Sequence, residues 1–400
     1  MKRELSLKGF ILTFSLFLIL LFQNVLEQYI TILKSFDEGL FVLLFILALY
    51  RAFKDRRELI ENNENLVQNN LIILFCMIIM FVVGIAGNII YKYQVIPAVV
   101  SDILLVFKGF VSYVSVKIIF NNISFEKYSK TINNTLRAIS VLSFIMIFMN
   151  YILNIFPTKD IRFGLPSQML LFTEPTYLAT FAISVMVLLT FFIKSYKKNI
   201  YFIIAISIVV CSTLRSKAIM FIAIYLFLYI LIIIKDFRLN TKSIIGVGTA
   251  AAVVGGNQIL RYLSNIDWAR PRLMVKSFEV AMDHFPIGGG FATFATWNSG
   301  VHYSPLYYKY DLSNTWGLQP DFYMFVGDTY WPAILGQFGF IGLISVVVIL
   351  IMIYKNICIN KDKYKYFQQL SILLYLLVLS TGETSFMSPI ATLLCVIMAI

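Results

Sequence analysis

Three groups of residues in this chain have types and spacing suited to chemistry on a charged substrate. The first is cationic. Arg215 and Lys217 fall in a very short polar hairpin, Ser212-Thr213-Leu214-Arg215-Ser216-Lys217, and Arg261, Arg270 and Arg272 open the longest polar stretch of the chain. Guanidinium forks bind phosphate oxygens bidentately, and desolvation at a membrane edge strengthens that bond. Lipid headgroups or neighbouring carboxylates would serve such cations as well. The second group is acidic. Glu174, in Phe172-Thr173-Glu174-Pro175-Thr176, and Asp328, just before Trp331-Pro332, suit a general base whose pKa partial burial raises. For Glu174, a carboxylate favoured by a helix N-terminus is a sufficient structural reason. The third group is aromatic. All four tryptophans (Trp268, Trp297, Trp316, Trp331) and both histidines (His284, His302) fall within residues 261–331. Trp297, Trp316 and Tyr323 there offer either a membrane-interface belt or a platform for stacking sugar rings.

The elements that must carry these residues follow from composition. Of 400 residues, 59% are apolar and 14% charged, with a mean hydropathy of +0.81. Soluble chains sit near ~45–50% apolar and ~25% charged. That excludes a secreted enzyme, a DNA-binding protein and a cytosolic catalyst with a tail anchor. The net charge of +12 is scattered between apolar runs, so it argues for no nucleic-acid partner. Apolar runs predict about twelve membrane helices, at 8–26, 37–50, 71–90, 95–116, 136–156, 171–193, 199–214, 218–234, 243–260, 332–354, 366–380 and 385–400. The chain thus divides into helices 1–9 over residues 1–260, an outer loop over 261–331, and helices 10–12 over 332–400.

Charge sets the orientation. Of 33 lysines and arginines, 21 lie in one set of alternate segments and 11 in the other, with Lys108 inside a span. The positive-inside rule then places both termini in the cytoplasm and the 261–331 loop outside. Lys108 is expensive in lipid; Asp102 is on another face, so its partner is expected from another helix. Within the loop, Arg272, Lys276, Glu279 and Asp283 recur on one helical face and Met274, Phe278, Ala281 and Phe285 on the opposite one. An amphipathic surface helix is expected, ended by Pro286 and a flexible turn at Gly288-Gly289-Gly290.

Several chemistries have no motif here. No GxxxxGK[ST], HExxH or GxSxG phrase occurs, and no Asp/Glu/His cluster has metal-ligand spacing, so no metal site is expected. No internal repeat of the transporter kind is visible. The four cysteines imply no disulfide framework.

Four phrases, in order, resemble the O-antigen polymerase and ligase superfamily (Wzy type). They are Phe172-Thr173-Glu174-Pro175; Ser212-Thr213-Leu214-Arg215; Arg272 with Phe285-Pro286-Ile287-Gly288-Gly289-Gly290-Phe291; and Asp328-Thr329-Tyr330-Trp331-Pro332 running to Gly336-Gln337-Phe338-Gly339-Phe340-Ile341-Gly342-Leu343. The resemblance implies an all-α, GT-C-like polytopic glycosyltransferase in the bacterial inner (plasma) membrane. Such an enzyme joins oligosaccharide repeat units carried on undecaprenyl diphosphate at the outer leaflet, with no cofactor or metal. Donor and acceptor lipid-linked oligosaccharides, membrane lipids and a chain-length regulator are the implied partners. Arg215 and Arg272 match the motif arginines that hold the diphosphate, with Lys217 and Arg270 beside them. Ligases of the superfamily carry a histidine where this chain reads Asp328-Thr329-Tyr330. That departure favours a polymerase over a ligase-like transferase and leaves the base open among Glu174, His302 and Asp328. A flippase or transporter of the same lipid is the rival reading, favoured only by Lys108.

Overall fold

The computed structural model describes residues 3–55, 64–192, 196–238 and 267–400. The expected span at 243–260, and Arg261, lie outside the described residues. The fold is mostly helical, 72% helix against 4% strand. The main helices are α1 (Leu7–Leu21), α2 (Phe36–Lys54), α3 (Glu64–Tyr91), α4 (Ile96–Ile119), α5 (Ser129–Leu153) and α6 (Pro175–Phe192). After these come α7 (Tyr196–Ser212), α8 (Ser216–Leu228), α9 (Ala269–Asp283), α10 (Tyr330–Cys358), α11 (Lys363–Ser380) and α12 (Pro389–Ala399). Every other predicted span therefore contains helix.

Among the described residues, six helical stretches are long and apolar enough to cross a membrane: Glu64–Tyr91, Ile96–Ile119, Glu126–Leu153, Pro175–Phe192, Ser216–Ile234 and Tyr330–Cys358. The last predicted span starts later than expected. Ser385–Ser388 form turns, and α12 opens at Pro389, whose missing N–H and fixed φ suit a first helical turn.

Lys108 finds its partner on another helix. Its Nζ donates to Asp37 Oδ2 of α2 at 2.7 Å, and Gln23 Nε2 donates to Asp37 Oδ1 at 2.9 Å. The side chains are 2% and 1% exposed, so neither charge has water to fall back on. Removing one partner of such a pair costs about 3–5 kcal/mol, because the other charge is left buried alone. Lys108→Met is accordingly expected to lower the melting temperature in detergent sharply. Adding Asp37→Leu should recover most of the loss. A double variant no more stable than the single one would contradict this account.

Two backbone devices position the outer layer. The sequence leads one to expect a flexible turn at Gly288–Gly290, but these glycines form a buried dock. α10 is broken at Gly339 (φ 59, ψ −157), which frees carbonyls of its first turns. Gly289 and Gly290 donate their N–H groups to the carbonyls of Gly336 and Gln337 at 2.9 and 2.8 Å. No side chain fits between the two segments. A Cβ on Gly339 would lie 2.4 Å from the Pro286 carbonyl oxygen, and one on Gly288 would lie 2.5 Å from the Gly339 nitrogen. The second device is a hairpin of β1 (Thr158–Arg162) and β2 (Leu165–Gln168), closed by Phe163 and Gly164, both at positive φ. Such a turn matches the twist of its strands. Ser167 Oγ donates to the Thr213 carbonyl at 2.7 Å, tying the hairpin to the turn before α8.

The surface helix forms as α9, but its faces differ from the expectation. Leu273, Ser277, Val280 and Ala281 are buried, whereas Met274, Phe278 and Phe285 are exposed. The physical reason is packing on α10: Leu273, Val280 and Ala281 fill the contact, while Phe278 and Phe285 reach only Phe340 at its edge, with ring centres 5.7 and 6.0 Å away, and stay largely exposed.

Candidate functional site

Charged side chains gather at one rim of the bundle, where the hairpin, the starts of α6, α8, α9 and α10, and the α11–α12 turn meet. Arg215 lies at the N-terminal end of α8, after a turn in which Leu214 is held at positive φ. Its Nη1 is 3.5 Å from Asp160 Oδ2 and its Nη2 is 4.0 Å from Glu174 Oε2. Both carboxylates have closer partners: Arg162 Nε bonds Asp160 at 2.7 Å and Lys159 Nζ bonds Glu174 at 2.6 Å. The Nε–H of Arg215 is buried with no hydrogen-bond partner among the described residues. This guanidinium is thus held in place by long ion pairs, with donor capacity left over.

Lys217, two residues on, faces Glu383 at 3.6 Å and donates to the Leu379 carbonyl at 3.4 Å. Arg270, at the start of α9, forks onto Asp328 Oδ2 through Nη2 at 2.7 Å and Nε at 3.2 Å. Gly382 brings the two cations together. A Cβ there would lie 2.8 Å from Lys217 Nζ and 3.8 Å from Arg270 Nη1. Thr384 Oγ1 donates to the Gly327 carbonyl at 2.9 Å, and Trp331 Nε1 donates to Ser380 Oγ at 3.1 Å. These bonds hold the Asp328 turn against the Glu383 turn.

The carboxylates of the rim differ in electrostatics. Burial raises Glu383, offset in part by Lys217 and Arg270 and reinforced by Asp328. Burial likewise raises Asp328 despite the opposing charges of Arg270 and Lys217. For Asp160, burial is outweighed by its bond to Arg162 and the field of Arg215, so its carboxyl stays below the usual range. The rim therefore pairs an acid that holds its proton less readily than usual with two that bind protons more readily. Such divergence of neighbouring acids is a mark of functional sites, although ion-pair networks produce it too.

The structure brings together Glu174, Asp328, Arg215, Lys217 and Arg270 of the residues expected from sequence. Arg272 points elsewhere: its Nη2 donates to the carboxylate and carbonyl of Asp311, at 2.7 and 2.8 Å, stitching α9 to the loop. His302 is also apart. Its carbonyl accepts from Gln94 Nε2 at 2.7 Å, and its exposed ring makes no described contact with the rim. His284 is fully engaged, with Nδ1 bonded to the Val280 carbonyl at 2.7 Å and Nε2 to the Tyr93 hydroxyl at 3.0 Å.

The aromatic residues divide into two groups. Trp297 packs on Tyr323, ring centres 5.4 Å apart, and its backbone abuts Gly327, next to Asp328. Trp316 stands over Phe322 and Phe325 at 5.4 and 5.1 Å. Trp297 and Trp316 are about half and two-thirds exposed, so Trp297 offers a flat apolar face beside the Asp328 turn and Trp316 a second one on the loop.

Glu383 and Asp160 were not singled out by sequence reasoning. Thr381-Gly382-Glu383-Thr384 reads as an ordinary turn between the last two apolar runs. The usable signal was an acid on the same side as Arg215 and Lys217, in a loop too short to move it far away. Among the described residues no group of three His, Cys, Asp or Glu side chains is placed to hold a metal ion. The chain matches no protein-family model and no curated protein sequence.

Proposed function

We propose that this protein is a Wzy-type polysaccharide polymerase. It joins oligosaccharide repeat units carried on undecaprenyl diphosphate at the outer leaflet of the bacterial plasma membrane. In this reading the chain crosses the membrane about twelve times in a GT-C-like arrangement, with both termini in the cytoplasm. The observation that carries it is the meeting of Arg215, Lys217 and Arg270 at one rim, beside two carboxyls with raised proton affinity. The four phrases resembling the superfamily also meet in pairs. Glu174 is beside Arg215, and Gly288–Gly290 are docked on Gly336–Gly339.

The chemistry follows from charge. The acceptor hydroxyl oxygen attacks the anomeric carbon of the donor sugar, and the carbon–oxygen bond to the diphosphate breaks. The bonding pair leaves with the diphosphate. In this reading Arg215, Lys217 and Arg270 stabilise that growing negative charge, the generic electrostatic route to rate. The hydroxyl proton passes to a carboxylate, for which Glu383 is the best placed: its cationic partner is at 3.6 Å, whereas Asp328 is gripped twice by Arg270 and Glu174 at 2.6 Å by Lys159. Trp297 and Tyr323 offer sugar rings a stacking face. Lys108, the residue that spoke for a transporter, is neutralised by Asp37 and gives that rival no support.

The test is reaction of the purified protein with its lipid-diphosphate-linked repeat unit, read as a ladder on a gel. A ladder formed without nucleotide sugar is expected. Unchanged single units with a folded protein and the correct substrate would refute the proposal.

A further inference from the structure

At the end of the bundle away from the charged rim, α2 and α3 part from each other. α2 packs on α4 and α3 packs on α10, and the two hardly touch. The gap is a cavity of about 410 Å³, within the ~300–1,000 Å³ span of small-ligand sites. Leu49 and Phe53 of α2 and Val67 and Leu71 of α3 form its walls, and Lys117 from the last turn of α4 faces into it.

Lys117 is the unusual group there. It is 8% exposed, and its described partner is the ring of Tyr113, with Nζ 5.7 Å from the centroid. No carboxylate pairs with it among the described residues, and Lys365 adds a field of like sign. Arg51 lies alongside, bonded through Nη2 to the carbonyl of Asn121, a wall residue, and paired through Nε with Asp55 at 3.8 Å, so Lys117 is the cation of the pocket left without a described carboxylate. Buried charges are paired or coordinated, so this pocket calls for an anion.

The walls say which kind. Leu49, Phe53 and Leu71 are 43%, 85% and 58% exposed, so the cavity opens onto an exposed apolar surface suited to hydrocarbon chains. A free inorganic anion gains nothing from such walls. A lipid carries its own apolar chains, and basic pockets between membrane helices at the Lys- and Arg-rich side hold anionic headgroups. We propose that this cleft binds one anionic phospholipid, with its phosphodiester at Lys117 and its acyl chains along α2 and α3.

The test uses the purified full chain, stripped of lipid in detergent. Phosphatidylglycerol, phosphatidylethanolamine or inorganic phosphate is added, and retention is read by native mass spectrometry alongside thermal melting. One phosphatidylglycerol should be retained and should raise the melting temperature, with phosphatidylethanolamine weaker by about fivefold or more, the scale of one basic residue's attraction to an anionic lipid. Lys117→Met should erase that preference. Val67→Trp, which fills the cavity and leaves every charge in place, should weaken both lipids and keeps the test valid if Lys117→Met fails to fold. Equal retention of the two lipids, unchanged binding in Val67→Trp, or a melting shift reproduced by inorganic phosphate would each overturn the proposal. None of these residues lies in the charged rim, so the result does not depend on the reaction catalysed there.

Discussion

Arg215→Ala is expected to abolish ladder formation while leaving the protein inserted and folded. The residue is poised for a substrate rather than for the fold. Its ion pairs to Asp160 and Glu174 are long, 3.5 and 4.0 Å, and both acids keep closer cations when it is gone. Its loss therefore strands no carboxylate. What disappears is the guanidinium whose Nε–H is unspent and which would face the departing diphosphate. Removing one preorganised donor to developing transition-state charge costs about 10²–10³ in rate. Arg215→Lys should recover a part, since an ammonium supplies charge but not the fork. Arg272→Ala is the control: its bonds go to Asp311, so its effect should fall on thermal stability and far less on rate. Rates of first-unit addition, measured with melting curves for each variant, check the series. A normal rate in Arg215→Ala would remove this residue from the diphosphate site.

Glu383→Gln should depress the rate by about 10²–10⁴, the usual weight of a positioned general base. The pH profile makes the prediction sharper. Burial raises the carboxyl of Glu383, so its base form is present above that raised pKa and is lost as pH falls through it. The acid limb of the wild-type profile should then sit above the ordinary glutamate value of about 4.3. In Glu383→Gln that limb should vanish along with most of the rate. Asp328→Asn has the opposite pattern, because it releases Arg270 and should alter substrate binding more than the position of the limb. A Glu383→Gln enzyme with an unmoved acid limb would shift the role of base to another carboxylate.

What could be read from the residues beforehand was set by the kind of signal. Apolar runs are long and redundant, so each predicted span outside 243–260 contains helix, although some ends differ, as where α12 opens at Pro389. Arg215, Lys217, Arg270, Asp328 and Glu174 were recognisable because charges near span ends are few, and a shared side of the membrane limits how far apart they can lie. Glu383 was hidden by its plain turn, whose value comes from a tertiary meeting with Lys217. Arg270 and Arg272 illustrate a limit of motif matching. They sit two residues apart on one helix, so they point to different faces, and the motif match fell on the one that serves the loop. The faces of α9 differ from the expectation for another reason: apolar residues lie on more than one of its sides, and periodicity alone does not tell which of them packs on α10.

The docking of Gly288–Gly290 onto the break in α10 also has an order in time. The ribosome makes the glycine turn well before Gly336–Gly339, and neither segment can complete its hydrogen bonds without the other. The loop between them therefore waits for the first turns of α10 to be made. A chain stopped before residue 336 would hold the arginines and aromatic residues of the loop with no scaffold beneath them. The charged rim closes in the same order: Glu383 follows Asp160, Glu174, Arg215, Lys217, Arg270 and Asp328 in the chain, so it reaches the site after every other member is already made.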